Sequence, residues 1–462
     1  MTQKQNSNSA MTSLEKRSIA GLSSIFALRM LGLFMILPVF SLVADQYSNA
    51  TPILIGLAIG AYGLTQALLQ IPFGILSDRI GRKRVITIGL LLFAAGSIVA
   101  ALADSIYMVI AGRLLQGSGA IAAAIMALTA DLTRDEHRTK AMASIGISIG
   151  LSFSIALATG AALEHWIGLS GIFWATAVLS LLGIAVLHLW VPTPTRCINH
   201  RDIEPVPQQF TKVFRNADIM RMVFSIMILH CLLTTSFFAL PIALLEQVGL
   251  AKEQHALAYL PILIVAFISM VPFILIAEKH RKMKPVFLGA IVVLALSQIG
   301  WAFFSNSLAS VLFSLWLFFT AFNILEASLP SLMSKLSPLE NKGTAMGIYS
   351  SAQFIGAFVG GVLGGWIYSH FGLSDVFIAG SLLTLLWLIL VSPMRQPKHL
   401  SSRIIHLEDV SKANADSIVQ QLNAINGVIE TIVVIEEQVA YVKFSPDDID
   451  SVTLDAFCQQ SS

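Results

Sequence analysis

The sequence predicts an all-α membrane protein with twelve transmembrane helices in two pseudo-symmetric six-helix bundles, followed by a small α+β domain. Three observations lead to this prediction. Hydrophobic residues make up 55% of the 462 residues and charged residues only 12%, whereas a soluble chain carries about 25% charged residues. Apolar segments long enough to cross a bilayer as helices recur twelve times. After Pro393 the composition becomes polar.

The twelve apolar segments are each about 20 residues or longer, the length that a helix needs to cross a bilayer. Short polar connections separate most of them. The segments lie at 19–43, 53–75, 85–103, 106–130, 140–164, 168–191, 219–245, 255–277, 285–304, 308–333, 343–369 and 373–393.

Lysine and arginine are distributed unevenly between the connections. If the N-terminus is cytoplasmic, twenty of these residues fall on the cytoplasmic side and only Lys252 on the opposite side. Because positively charged connections stay in the cytoplasm, we expect a multi-pass protein of the bacterial cytoplasmic (inner) membrane with both termini in the cytoplasm. The first apolar segment is too long for a signal peptide, so we expect it to remain attached.

A proline-rich, charged segment after the sixth span divides the chain into two halves. Residues Ala127–Leu151 also align with Ser331–Ile355 at a constant offset, which indicates a parallel internal repeat. We therefore predict an N-terminal bundle over 1–191, a cytoplasmic linker over 192–217 and a C-terminal bundle over 218–395.

Residues 402–458 are predicted to form a cytoplasmic domain with the order β-α-β-β-α. Its strands are expected at Arg403–Leu407, Val428–Ile435 and Val439–Phe444, and its helices at Asn414–Ile425 and Ile449–Phe457. This order resembles a ferredoxin-like fold of the heavy-metal-associated type, but the cysteine pair that holds metal in such domains is absent. The chain's three cysteines have no metal-binding spacing, so we predict no metal and no cofactor.

The connection between the second and third spans carries the most specific motif. Residues 74–83 read Gly-Ile-Leu-Ser-Asp-Arg-Ile-Gly-Arg-Lys. This order resembles the loop 2-3 signature of the major facilitator superfamily of transporters. Residues 66–81 and 112–132 also resemble its bacterial YajR-type branch, described as proton-driven efflux transporters with a C-terminal ferredoxin-like domain.

The resemblance implies a conformational latch that closes the cytoplasmic side. Asp78 would face the N-terminus of the eleventh span, where a negative charge is favourable, and Arg82 would reach Asp131. Gly81 can take the left-handed conformation that the short reversal of the chain needs. Gly74, the first residue of the motif, is also counted among the latch residues. The alternative is that the positive residues only fix topology, which does not account for the acidic Asp78.

Four ionisable residues lie well inside predicted spans, where charge is costly and usually functional. They are Arg29, Arg113, His230 and Glu326, in the first, fourth, seventh and tenth spans. In the superfamily these spans line a central cavity, so the resemblance makes all four candidates for proton coupling. We expect Glu326 to carry the proton, with His230 as the second candidate. The alternative is that each is paired locally for stability.

Arg113 begins Arg-Leu-Leu-Gln-Gly-Ser-Gly, which resembles the superfamily's fourth-helix signature. Because an arginine cannot release its proton in a protein, its expected part is to bias a carboxylate. The fifth span keeps the glycines of the antiporter signature but has Ala161 where proline is expected, which weakens the antiport reading. Further candidates for the substrate cavity are aromatic and amide residues: Phe26, Gln70, Phe237, Trp316, Asn323 and Gln353.

Glycines at four-residue spacing predict close packing between the eleventh and second spans. Gly356, Gly360 and Gly364 form one such face, and Gly56 and Gly60 are the expected partners. Small residues at this spacing let two helices approach closely in a membrane.

These features predict a secondary active transporter that exports a small, drug-like molecule in exchange for protons by alternating access. Its expected partners are the substrate, protons and the lipid bilayer. The net charge of +2 argues against nucleic acid, and we expect a monomer. An enzyme is not predicted because no nucleophile, phosphate loop or metal cluster is placed for catalysis.

Two alternatives remain. The chain could be a uniporter or symporter of a small solute, or a ligand sensor that signals through residues 402–458. Retention of every latch residue favours transport over sensing. The C-terminal domain could regulate transport by docking on the cytoplasmic loops through Glu436 and Glu437, bind a small ligand, or be an inert appendage.

Overall fold

The computed structural model describes residues 11–193, 210–338, 342–394 and 401–457, the last range with gaps at 408–409, 412–413, 436–437, 446–447, 451–452 and 455–456. Across these ranges, eleven helical stretches are long and apolar enough to cross a membrane. One of them bends at Gly168, where φ is 66°, and contains two of the predicted spans. The predicted fold of twelve spans in two bundles with a small α+β domain is confirmed.

The N-terminal bundle is built from seven helical segments. These are α1 (Ser13–Phe34), α2 (Phe40–Val43), α3 (Pro52–Ile80), α4 (Arg82–Ala101), α5 (Ile106–Ser118), α6 (Ala122–Asp131) and α7 (Asp135–Leu189). The C-terminal bundle follows a short helix α8 (Phe210–Arg215), which falls in the predicted linker. It comprises α9 (Ala217–Glu246), α10 (His255–Lys279), α11 (Met283–Phe303), α12 (Leu308–Leu336), α13 (Lys342–Phe371) and α14 (Leu373–Val391).

The first predicted span, 19–43, is not one continuous helix. Helix α1 ends at Phe34, turns occupy residues 35–39, and α2 begins at Phe40. Pro38 explains the break, because a proline ring clashes with the carbonyl four residues earlier and provides no N–H. That carbonyl belongs to Phe34, the last residue of α1.

The fourth predicted span is also interrupted, between α5 and α6. Gly119 follows α5 with ψ of 55°, so its carbonyl leaves the helical hydrogen-bond pattern. A freed backbone group inside a membrane protein needs another partner. The Gly119 oxygen accepts hydrogen bonds from the Ile121 N–H at 2.9 Å and from Nη2 of Arg29 at 2.7 Å.

The two bundles touch most closely where α3 crosses α13. A Cβ added to Gly56 would collide with the carbonyl of Gly361, and one added to Gly63 would lie 2.5 Å from the carbonyl of Phe354. Gly365 likewise packs against the backbone of Pro52. Near the other end of α3, a Cβ on Gly74 would meet only Ala123 of the same bundle. Close contact is therefore concentrated in the half of the membrane away from the chain termini.

The predicted packing of Gly356, Gly360 and Gly364 against the second span is wrong. Gly356 and Gly360 face the backbone of α9, at Met227 and Cys231. The face that meets α3 carries Gly361 and Gly365 instead. Helix α13 thus has two faces of small residues, one for its own bundle and one for the other bundle.

Residues 401–457 form a three-stranded antiparallel sheet with the order β1-β3-β2. The strands are β1 (Ser401–His406), β2 (Val428–Val434) and β3 (Val439–Phe444), and α15 (Ala415–Asn423) joins the first two. Of the predicted second helix, the described residues Thr453, Leu454 and Phe457 are helical. Glu436 and Glu437 lie outside the described residues.

Replacing Gly56 with leucine tests the crossing of α3 and α13. The new side chain would collide with the α13 backbone, and such overpacking costs about 1–3 kcal/mol. We expect a clear fall in the melting temperature of the purified protein in detergent. Gly289→Leu is the matched control, because Gly289 is exposed and a Cβ there meets nothing within 4 Å. Equal melting of the two variants would contradict the close approach.

Candidate functional site

Three side chains from three helices of the C-terminal bundle meet around the carboxylate of Glu326. Glu326 lies on α12, His230 on α9 and Gln353 on α13. The amide Nε2 of Gln353 is 2.7 Å from Nε2 of His230 and 3.4 Å from Oε1 of Glu326. Nε2 of His230 is 3.8 Å from Oε2 of Glu326. One amide therefore bridges the imidazole and the carboxylate.

The contacts of this group fit a neutral imidazole with its hydrogen on Nδ1. Nδ1 of His230 lies 3.3 Å from the carbonyl of Ile226, one turn earlier on α9, and donates its hydrogen to it. Nε2 then accepts a hydrogen from the Gln353 amide, whose second N–H is available for Glu326. Placing a proton on Nε2 would require this amide to rotate.

Glu326 retains unused hydrogen-bonding capacity. Its side chain is 38% exposed, while its buried Oε2 has no hydrogen-bond partner among the described residues. The hydroxyl of Tyr349, one turn before Gln353 on α13, also has no such partner. The carboxylate is therefore accessible to solvent and keeps one oxygen free to accept a hydrogen bond.

Arg29 and Arg113 form a separate polar cluster inside the N-terminal bundle. Nη2 of Arg29 donates to the hydroxyl of Tyr62 and to Oε1 of Gln66, at 2.9 and 2.8 Å. Its Nε and Nη1 have no hydrogen-bond partner in the described part of the chain. Arg29 is 1% exposed. Its guanidinium also lies 5.5 Å from the ring centre of Phe93, which is favourable for a buried cation.

Arg113 is held by its own set of oxygen atoms. Its Nε and Nη2 lie 3.3 Å from the carbonyls of Ala58 and Ile59, and Nη1 donates to Oε1 of Gln116 at 2.8 Å. The Tyr62 ring is 5.3 Å from this guanidinium and 5.9 Å from that of Arg29. Tyr62 therefore lies beside both cations.

The four ionisable candidates thus fall into two groups. His230 and Glu326 meet in the C-terminal bundle, whereas the hydrogen bonds of Arg29 and Arg113 described above all end within the N-terminal bundle. Tyr62 provides a link between the bundles, since its ring packs edge-on against Phe354 of α13 at 6.2 Å.

Sequence reasoning missed Tyr62, Gln66 and Tyr349. A signal for the first two was present, because Tyr62, Gln66 and Gln70 recur every four residues on α3 and so share one face of the helix. Tyr349 and Gln353 have the same spacing on α13. Neither spacing indicates which partner each face meets.

The residues of the predicted latch lie around the end of α3. Arg82 is 2% exposed, and its guanidinium contacts the carboxylate of Asp78. Its Nε lies 3.3 Å from Oδ2 of Asp131, whose side chain is fully buried, and Nη1 donates to Oγ of Ser77 at 2.8 Å. Gly81 reverses the chain with φ of 99°, a region that favours glycine. Gly74 is buried one turn before Asp78.

The candidate cavity residues occupy different environments. Gln353 belongs to the Glu326 group, and Asn323 is half-buried one turn away on α12. Phe237 packs among aromatic rings that include Phe153 and Phe319. The others lie elsewhere: Gln70 accepts a hydrogen bond from Gln66, Phe26 lies in the N-terminal core, and Trp316 donates to Ser269.

Across the ranges that the structure describes, no three His, Cys, Asp or Glu side chains are grouped to hold a metal ion. Cys231, a free thiol, is buried on α9.

Comparison with known proteins places these features in context. The chain matches the model of the Major Facilitator Superfamily over residues 22–331 and 284–425. It is 46% identical over 433 residues to the inner membrane transport protein YajR of Escherichia coli (strain K12), covering 94% of this chain and 95% of that protein. A more distant relative, the multidrug resistance protein MdtH of Aeromonas hydrophila subsp. hydrophila, is 26% identical over 74% of this chain and 85% of its own length.

Solved structures share the fold. A bacterial homologue of the human lysosomal transporter Spinster, in an inward-facing and occupied conformation, superposes with a TM-score of 0.70 at 14% identity, covering 82% of this chain and 97% of that one.

Proposed function

The chain belongs to the major facilitator superfamily and carries a small solute across the bacterial inner membrane, and we propose that it does so as a proton-coupled antiporter that exports its substrate. The grouping of Glu326, His230 and Gln353 carries this proposal. It supplies an ionisable carboxylate within the membrane, where such a group is rare and usually part of a proton or ion pathway.

Glu326 is the proposed proton carrier. Its exposed fraction gives the proton a route to water, and the unpartnered Oε2 leaves room for a hydrogen. When Glu326 is protonated and His230 is a neutral imidazole, the group carries no net charge. When the proton leaves, the carboxylate carries a negative charge that an electropositive or hydrogen-bonding group of the substrate can approach. Proton and substrate would then occupy the site alternately.

Gln353 is proposed to couple the proton to the position of α13. Its amide contacts the imidazole and the carboxylate, and α13 also packs against α3 of the other bundle. Movement of α13 during a change of access would therefore alter the hydrogen bonds to both groups. Asn323 and Gln353 are the cavity candidates nearest to the carboxylate.

Arg29 and Arg113 are proposed to act through their charge. Two buried guanidiniums attract negative charge through a medium of low dielectric, and Tyr62 places their cluster against α13. They would favour an anionic state of the cavity, whether this is the ionised Glu326 or an acidic group on the substrate.

The latch is proposed to close the side of the membrane that holds the termini. Closure would bring Asp78 to the N-terminus of α13, near Gly343 and Thr344. A negative charge there is favourable by about 0.3–2 kcal/mol, and about 2 kcal/mol shifts a two-state population roughly 30-fold. The close crossing of Gly56 and Gly361 supports assigning the described arrangement to the opposite state, closed on the far side.

The proposal also covers the orientation in the membrane, the oligomeric state and the substrate. Both termini are placed in the cytoplasm on the distribution of lysine and arginine, and the protein is proposed to act as a monomer. Drug-like molecules are the first substrates to test, because a relative is named a multidrug resistance protein.

The test is proton movement in proteoliposomes. Purified protein is reconstituted with a pH-sensitive dye inside, and cationic, neutral and anionic drugs are added in turn. We expect at least one compound to evoke proton movement against its own flux. Substrate uptake without proton movement would point to a uniporter, and co-directional movement to a symporter. If no compound moves, the sensor alternative gains support.

A further inference from the structure

The sheet of the C-terminal domain has two different faces. Side chains alternate along a strand, and Ala440 and Val442 of β3 pack with Leu422 of α15 in the domain's core. Val439, Tyr441 and Lys443 point to the opposite face. In an isolated domain with its helix on one side only, this second face would be open to water.

The second face is nevertheless buried. Val434, Val439, Tyr441 and Lys443 are between 3% and 7% exposed, and Val434, Val439 and Tyr441 form an apolar cluster of their own with Ile432. Another part of the chain must therefore cover this face.

Lys443 identifies the part of the chain that lies against its end of this face. Its Nζ donates to the carbonyls of Lys335 and Ser337, at 3.0 Å each. Lys335 lies in the last turn of α12 and Ser337 directly follows that helix. The last carbonyls of a helix lack helical partners and carry negative partial charge, so an ammonium group satisfies them well.

The groups facing Lys443 come from both sides of the interface. Burial lowers the pKa of Lys443, Glu430 on the neighbouring strand β2 raises it, and Lys342 lowers it. Lys342 is the first residue of α13. The sheet face therefore lies at the connection between α12, which carries Glu326, and α13, which carries Gln353.

We propose that this sheet face is an intramolecular docking surface that holds the C-terminal end of α12 beside the start of α13 and stabilises the arrangement open towards the termini. The inference rests on the alternating-access part of the proposed function and is independent of proton coupling. The N-terminus of α13 is where Asp78 would arrive when that side closes. A domain seated beside it stands where Asp78 would arrive, so its release favours closure.

The test measures docking and access separately by electron spin resonance on the full-length protein. Cys197, Cys231 and Cys458 are first replaced with alanine. One spin-label pair at Lys140 and Lys282, both exposed, spans the two bundles on the termini's side. A second pair at Ser417 and Lys282, with Ser417 exposed on α15, reports the position of the C-terminal domain.

Lys443→Met removes the ammonium group but keeps most of the side-chain length. We expect the Ser417–Lys282 distances to broaden and the ratio of open to closed populations at Lys140–Lys282 to fall at least threefold. Arg403→Met is the matched control, because it removes a cation from exposed Arg403 in the same sheet, and it should leave both distributions unchanged.

Two outcomes would overturn the proposal. If docking is lost in Lys443→Met but the distances between the bundles do not change, the domain does not influence access. If docking is retained, Lys443 does not hold the domain. Neither readout requires a substrate, so failure here is distinguishable from a failure to observe antiport.

Discussion

Glu326→Gln is expected to abolish substrate-evoked proton movement while substrate exchange across the proteoliposome membrane continues. The amide has the shape of the carboxylic acid and can still hydrogen bond to Gln353, but it cannot take up or release a proton. We expect proton flux to fall on the order of 100-fold, a loss typical of removing a positioned acid–base group. The measurement is internal pH together with counterflow of labelled substrate.

Glu278→Gln is the control for this substitution. Glu278 lies near the end of α10, where its Oε2 is 2.9 Å from Nζ of Lys335, and it should retain wild-type proton movement. If proton movement persists in Glu326→Gln but is lost in His230→Asn, the imidazole of His230 and not Glu326 is the coupling site. Persistence in both variants would exclude this cluster as the coupling site.

Arg82→Met is expected to be the most destabilising single change at the latch. It leaves the fully buried carboxylate of Asp131 without its guanidinium partner. Removing one member of a buried ion pair costs about 3–5 kcal/mol. We expect a lower melting temperature in detergent and a lower yield of folded protein.

A double variant separates the lost charge partner from other effects. Asp131→Asn removes the carboxylate charge that pairs with Arg82. The double variant Arg82→Met with Asp131→Asn should therefore recover at least half of the stability lost in Arg82→Met. Arg84→Met, which changes an exposed neighbour, should melt as the wild type does. If Arg82→Met and Arg84→Met have the same melting temperature, the ion pair contributes little to stability, and this result would contradict the latch proposal.

Most of the fold follows from local properties of the sequence. Each span is specified by the hydropathy of about 20 consecutive residues, so the positions of the spans do not depend on which helices become neighbours. Strand β3 was predicted at its observed bounds, Val439–Phe444, because it too is specified by the residues of one short segment. Where a predicted boundary was wrong, the cause is also local. The first span was predicted to continue to residue 43, but Pro38 ends α1 at Phe34, four residues before the proline.

The latch geometry was partly accessible from sequence. Gly81 stands at a reversal between two spans, and its positive φ follows from the shortness of that connection. The pairing of Arg82 with Asp131 came from the family resemblance, because no local rule joins two residues on different helices. Their burial was not predicted.

The sequence alone determined the spans, the order of the elements, the small α+β domain and the identity of the ionisable residues within the membrane. Only the tertiary structure decided their partners. Helix α13 has small residues on two faces, and glycine spacing cannot choose which face meets α3, because that depends on the rotation of the helix within the packed bundle.

For the same reason, the sequence could not predict that Arg29 and Arg113 lie in a different polar cluster from Glu326. Being inside a span fixes the depth of a residue in the membrane but not the direction of its side chain. Arg29 turns to the carbonyl freed at Gly119, and Lys443 reaches the end of α12 across about a hundred residues of chain. Such contacts arise only when distant segments are brought together, since each buried polar group must then find a partner among the groups that packing places beside it.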